Sequence, residues 1–368
     1  MRTIHFVYAH GTAKSCPNAI GTQVTSRLQA AGYCVVHYPW MEVGKIRPAP
    51  GDILLGHPSP HLFTYFRASL SNKNWSRRIM LCPYAHGRLD YCSFLDTMIH
   101  DCDLFLAITG RYWMKTTPQS NLRHWFPKMV QVDLAVEPTD FPFLKPSFNP
   151  CGHRRFVYIG HNADYKNTPY LEQLAAHCPE IGFGWIGKGW KQIRGLTKIG
   201  HVDFNTGEGK RIIGDYDFLL TVGDSDANPT TILESMAWGL IPVCTPQSGY
   251  EESEGVVNIP LNDVHSAAAI LRRLQHLPEA ELLAMQQANL ERLERHYNWD
   301  RFASQVIDAI ESKESPRLGR QSLRNKLAIR ANICFVSDKS SLFRRRGMKI
   351  FVRGLARIMK QRWKGASV

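Results

Sequence analysis

Apolar residues in this chain fall in short runs, separated by polar turns and amphipathic stretches, as strands alternating with helices would require. Residues 4–9 read as a buried strand. A loop of small residues follows, then a helix to about residue 31 with Gly32 as its stop, then a strand at 34–38. Further strands are expected at 52–55, 78–82 and 104–108, each ending in polar or turn residues. Residues 116–151 are irregular and hold six prolines, with one strand expected at 130–136 and a domain division near 149–153. A second series begins at 156–160 and continues with strands at 183–186, 198–204, 218–222 and 241–244. Helical periodicity occupies 267–296 and resumes up to residue 310. Strand, loop and helix repeated twice over predicts two α/β domains with parallel sheets.

The most informative stretch is 224–243. It follows an apolar strand with a small polar loop, Asp224 to Asn228, then places Pro229 in the first turn of a helix, where its missing N–H costs nothing. Ile232, Leu233, Met236 and Ala237 recur at helical spacing, and Gly239 ends the helix. In an open parallel sheet the junction of strand and helix is a ligand crevice. The free N–H groups of a helix start, here around Asn228, Pro229, Thr230 and Thr231, favour phosphate.

Asp226 and Glu234 are separated by seven residues, and Leu-Glu-Ser-Met-Ala-Trp-Gly-Leu-Ile-Pro-Val follows. This resembles the acid-x7-Glu signature of retaining GT-B glycosyltransferases, in particular glycosyltransferase family 4. The first acid is usually Glu and is Asp here, and the usual Gly-Phe-Gly/Pro is Ala227-Asn228-Pro229. The resemblance implies that Glu234 accepts hydrogen bonds from a donor ribose and that Asp226 lies near the donor sugar. It also implies that Gly160-His161 and Lys166, after the first strand of the second series, hold the donor diphosphate. The family usually carries Arg where this chain has His161, so a permanent bidentate fork is replaced by a group charged only at lower pH. The placing of His57 and His86 resembles the histidines after the third and fourth strands of family members, one of which commonly faces the donor sugar or acceptor, and the loop with Gly11 resembles the floor of the interdomain cleft. Gly187 permits close backbone approach to a ligand, although an ordinary turn needs it too.

Structural readings stand beside these. Thr231-x-x-Glu234 also fits a capping box, which would make Glu234 a helix-start residue. Asp226 fits an ordinary turn, Lys166 a solvated loop cation, and His57 and His86 satisfied structural histidines. Thr168 reads as the cap of a helix with Pro169 at its first position. Asp224-x-Asp226 has the spelling of a metal motif but overlaps the helix start, so neither metal nor cofactor is expected.

Charge changes the picture at one end of the chain. The formal charge is +13 over 368 residues, yet residues 313–368 hold 16 Lys/Arg and 2 Asp/Glu, whereas the rest hold 29 and 30. The body is near neutral, which removes the main argument for a nucleic-acid binder. With Met348 as origin, Phe351, Val352, Leu355, Ile358, Met359 and Trp363 share a face in 341–364, and Arg346, Lys349, Arg353, Arg357, Lys360 and Lys364 lie opposite, with Ile350 and Arg362 breaking the pattern. That is the profile of a helix lying on an anionic membrane surface. The nine cysteines include no C-x-x-C, which suits a reducing compartment, and no signal peptide or transmembrane run is expected.

The expectation is therefore an α/β GT-B architecture of two Rossmann-like domains facing across a cleft, 1–150 on the acceptor side and 151–311 binding the nucleotide sugar. A basic helical C-terminal extension, 312–368, would attach it peripherally to the inner face of a membrane from the cytoplasm. The resemblance implies a hexosyltransferase-type enzyme acting with retention on a glycolipid or polysaccharide acceptor. A GT-B sugar-nucleotide epimerase and a non-catalytic membrane-bound scaffold remain the alternatives.

Overall fold

The computed structural model describes residues 2–334 apart from residues 10, 13, 15, 60–62 and 190. The amphipathic stretch 341–364 lies outside the described residues. The first domain contains β1 (Thr3–Val7), α1 (Asn18–Ala30), β2 (Cys34–Tyr38), β3 (Ile53–Gly56), α2 (Phe63–Leu70), β4 (Arg77–Pro83), α3 (Leu89–Leu95), β5 (Leu104–Ile108), α4 (Arg111–Thr116) and β6 (Met129–Val132). The second contains β7 (Arg155–Ile159), α5 (Thr168–His177), β8 (Gly182–Ile186), β9 (Thr197–Gly200), α6 (Gly207–Gly214), β10 (Phe218–Thr221), α7 (Thr230–Trp238), β11 (Ile241–Cys244) and β12 (Val257–Asn258). Four helices complete the chain: α8 (Val264–Gln275), α9 (Glu279–Arg295), α10 (Trp299–Glu311) and α11 (Leu323–Cys334).

Each domain has one six-stranded sheet, in the orders β2-β1-β3-β4-β5-β6 and β12-β11-β10-β7-β8-β9, and all the strand pairs are parallel. Helices cover both faces of such a sheet, so its inner strands are buried throughout; β3, β5, β10 and β11 are buried at every position. Strand order reverses between β1 and β3 in the first sheet, and between β7 and β10 in the second. Loops leaving neighbouring strands diverge at such a reversal and open a crevice beyond the carboxyl ends. In the second domain that crevice lies between the loops after β7 and β10, which carry Lys166 and Asp226.

Several expected elements differ. β6 stops at Val132, and Leu134, Ala135 and Val136 continue as a buried crossing segment without strand structure. The short strand expected at 198–204 is Thr197–Gly200. The single periodic stretch 267–296 is two helices, because Pro278, without an N–H, breaks it and caps α9. Asn167, not Thr168, precedes α5, and the Thr168 hydroxyl donates to Asn162 Oδ1 at 2.5 Å. Gly239 ends α7 as expected, with φ +91° in the left-handed region, and Leu240 N–H donates back to Ser235 O at 2.9 Å.

The end of the described chain returns to the first domain. α10 packs on α1, and Arg27 Nε donates to Asp300 at 2.6 Å. Residues 312–334, which the sequence grouped with the basic extension, lie on the same domain. Arg77 donates to Ala309 O and Glu314 O, Gly319 N–H donates to His124 O, and α11 packs on α3 with Ile329 fully buried. Beneath α11 is a buried cluster in which Asp96 Oδ1 accepts from His124 (2.8 Å) and Trp125 (2.9 Å), while Arg330 stands 3.5 Å from Oδ2. Burial pushes the Asp96 carboxyl up, but His124, Arg330 and Trp125 outweigh it and hold it below the ordinary carboxylate range. Among the described residues no helix is long and apolar enough to cross a membrane.

Removing the Ile329 side chain leaves a cavity beneath α11. Ile329→Ala is expected to destabilise the first domain by about 2–3 kcal/mol. Denaturant unfolding checks the cost, and faster proteolysis within 312–334 checks its location.

Candidate functional site

Lys166 and Asp226 are 60 positions apart in the chain and meet at the β7/β10 crevice, with Nζ 2.5 Å from Oδ2 and about one eighth of each side chain exposed. Each comes from the loop after its strand. Asp224 N–H donates to Tyr165 O at 3.2 Å and Asp226 N–H to Gln247 O at 3.1 Å, which fixes the second loop against its neighbours. Buried at this depth, the Lys–Asp pair positions both groups more than it stabilises the fold.

Glu234 lies one helical turn inside α7 and is buried. Burial raises its carboxyl to about 7, against smaller opposing effects from the Thr230 hydroxyl and the Lys166 charge. The helix starts at Thr230 after Pro229, so Pro229 precedes the first turn and is not part of it. Thr231 sits inside the helix and is not its cap. The capping-box reading of Glu234 therefore fails, since it needs Thr231 at the cap. Instead Thr230 and Glu234, four residues apart, hydrogen-bond on one face. Across the cleft, the Cys16 thiol of the first loop is raised by burial and further by the Glu234 charge. Gly11, in the same loop, is half-exposed, its carbonyl accepting from Thr22.

The other expected residues divide. Gly160 and Gly187 close the ends of β7 and β8, and a Cβ at Gly187 would lie 2.1 Å from the Gly160 carbonyl oxygen. That oxygen accepts from Trp185 Nε1 at 2.8 Å, so strand packing already accounts for glycine at 187. His161 is exposed, and its carbonyl accepts from Tyr158 Oη. Asn228 is buried, its Oδ1 accepting from Leu134 N–H (3.0 Å) and Tyr250 Oη (3.2 Å), which makes it a bracket between the domains. His57 is a core residue: it packs against Tyr8 and Trp40, and burial pushes its imidazole down to about 3.

His86 is half-buried, and burial lowers its pKa. Thr116 Oγ1 gives its one proton to Tyr112 O (2.7 Å), so at 2.8 Å it must accept from His86 Nε2. Nε2 therefore carries the proton and Nδ1 the lone pair. The ring stands edge-on to Trp113 at 4.8 Å between centroids, and Trp113 Nε1 donates to Asp226 O at 3.0 Å. His86 thus reaches the Asp226 loop through one indole.

Trp113 belongs to a contact that the sequence reading missed. Gly110 N–H donates to Ala227 O at 3.0 Å, and a Cβ at Gly110 would lie 1.4 Å from Gly249 O. The two backbones touch because position 110 has no side chain. Lys115 reaches Glu251 at 2.9 Å, and Gln247 donates to Tyr112 Oη at 3.1 Å beside it. Among the described residues no group of His, Cys, Asp and Glu could hold a metal ion.

No protein-family model matches the chain, and no curated protein sequence is significantly similar to it. Its likeness is to solved structures. Sucrose-phosphate synthase from Thermosynechococcus elongatus superposes with a TM-score of 0.64 at 12% identity, covering 84% of this chain and 98% of that one. The apo structure of OtsA gives 0.61 at 11%, covering 85% and 99%. The catalytic domain of starch synthase IV from Arabidopsis thaliana, bound to ADP and acarbose, gives 0.60 at 8%, covering 84% and 98%. Identities this low speak for architecture alone. The chain has the two-domain GT-B fold of these glycosyltransferases.

The raised Glu234 carboxyl has a consequence for stability. The folded chain holds this proton more tightly than the unfolded chain does. Its contribution is full below the ordinary value of 4.5 and is lost as pH rises through about 7. Glu234→Gln removes that dependence. At pH 8 the variant should be more stable than wild type by roughly 2–3 kcal/mol, the gap closing near pH 4.5. Denaturant unfolding at the two pH values checks it; an equal difference at both would contradict the burial of this carboxyl.

Proposed function

We propose that the chain is a glycosyltransferase that moves a sugar from a nucleotide-sugar donor to an acceptor hydroxyl. One observation carries the reading. Lys166, Asp226, Thr230 and Glu234 converge at the switch point of the second sheet, against the first domain, although they lie on different loops and a helix. The glycosyltransferase neighbours support it, including a starch synthase domain holding ADP.

In this reading the bond between the anomeric carbon and the diphosphate oxygen breaks with its electron pair left on the diphosphate, the acceptor oxygen bonds to that carbon, and the acceptor's proton passes to the departing phosphate. Lys166 and the α7 N–H groups stabilise the charge that develops there. Glu234, the ribose-facing group, has its proton near balance at neutral pH, so it can accept from one hydroxyl or donate to another. Asp226, paired with Lys166, lies on the donor-sugar side of the site, as the signature implies. His86 Nδ1 supplies an acceptor beside that loop. The sugar is a hexose and the configuration is retained, as the acid-x7-Glu signature implies. Asp226→Asn should lower turnover by about 100-fold or more, with the thermal midpoint within a few degrees of wild type. A panel of nucleotide sugars, assayed for free nucleoside diphosphate with and without simple glycoside acceptors, checks the function. Absence of turnover on every donor would refute it, and epimerised donor without transfer would favour the epimerase.

The acceptor is a membrane glycolipid or a growing polysaccharide, and the basis for this is the segregation of Trp, Phe and Leu from Arg and Lys over 341–364. Because 312–334 packs on the first domain, the informative truncation ends at Cys334. Full-length protein should float with anionic vesicles, and the 1–334 fragment should stay at the bottom of the gradient while still releasing nucleotide. Equal flotation of the two forms would remove the membrane reading.

A further inference from the structure

We propose that Arg88, from the first domain, is the second cation of the donor diphosphate site; the inference rests on the function proposed above. Tyr165 precedes Lys166 in the loop after β7, and its ring has a cation from each domain beside it. The Arg88 guanidinium carbon lies 4.6 Å from the ring centroid and Lys166 Nζ lies 5.4 Å from it. Only one carboxylate, Asp226, is paired with Lys166 among the described residues. A departing nucleoside diphosphate gathers more negative charge than one partly neutralised lysine can balance. A guanidinium offers a planar, permanently charged fork that matches two phosphate oxygens at once.

The local backbone is built to bring Arg88 here. It ends the tight turn after β4, with its N–H donating to Ala85 O at 2.9 Å, and it directly precedes α3. Gly87 abuts the Asp226 loop so closely that a Cβ there would lie 2.4 Å from Ser225 Oγ. Glycine at 87 lets the turn that carries Arg88 lie this close to Ser225 and Trp113. The Tyr165 ring holds the guanidinium beside the loop that carries Lys166. A diphosphate held by Lys166 and Arg88 is gripped from both sides of the cleft.

Calorimetric titration tests this with UDP, ADP and GDP, and with the matching monophosphates and nucleosides, on wild type, Lys166→Ala and Arg88→Ala. Arg88→Ala should weaken the preferred nucleoside diphosphate by about 10- to 100-fold and leave the nucleoside within twofold. Arg88→Lys should recover only part of the loss. Arg88→Met keeps an apolar stem over Tyr165 without the charge; it replaces the alanine variant if that one unfolds, and it should show the same loss. The proposal is overturned if the charge-free variant binds the diphosphate within twofold of wild type. It is also overturned if nucleoside and diphosphate affinities fall together, as they would if Arg88 only braced Tyr165. If Lys166→Ala weakens binding and the Arg88 variants do not, the site stands and this inference alone falls. If wild type binds none of the three diphosphates, or Lys166→Ala binds them unchanged, the underlying reading of the site falls as well.

Discussion

The hydrogen bond from Gly110 N–H to Ala227 O is the contact on which the site depends. It joins the loop after β5 in one domain to the loop after β10 in the other, through backbone alone. Any side chain at 110 would occupy the space of the Gly249 carbonyl. This approach brings Trp113 within reach of the Asp226 carbonyl and lines His86 up behind it. Gly87, one strand away, likewise lets its loop close on the Ser225 side chain. Two glycines, one on each of two adjacent loops, let the two domains approach.

Within that frame, buried charge gives the second domain its chemical bias. Asp226 is satisfied by Lys166, whereas Glu234 has a hydroxyl and only the more distant lysine charge to offset its burial. Two carboxyl groups of one motif therefore sit in different surroundings, one paired with a lysine and the other raised by burial to about 7. Burial and partners make that difference, not residue type.

Much of the fold was legible because buried parallel strands must be continuous apolar runs. Residues 104–108 and 241–244 are buried strands at the bounds the pattern predicts, and 34–38 is a more exposed edge strand at its predicted bounds. Gly239 was legible for a local reason, the left-handed turn that closes a helix. What escaped depended on distant partners. Asn228 reads as a ligand residue in the string Ala-Asn-Pro; only Leu134 and Tyr250, 94 and 22 positions away, show it to be a bracket. Trp113 and Arg88 carry no motif, and their contacts lie in the other domain. The break before α9 was hidden because apolar periodicity continues on both sides of Pro278. The docking of 312–334 was masked by its positive charge, which suggested solvent, while Ile329 is its fully buried apolar contact among the described residues.

The chain crosses between the domains twice, outward through Leu134–Val136 and back through Tyr297, where Val136 N–H donates to Tyr297 O at 3.0 Å. Two crossings tied side by side act like the knuckles of a door. Sliding or twisting one domain on the other would have to break the bond between them, whereas swinging about the line through both would not. Any such swing parts the Gly110–Ala227 and Gly87–Ser225 contacts, because each joins a loop of one domain to a loop of the other.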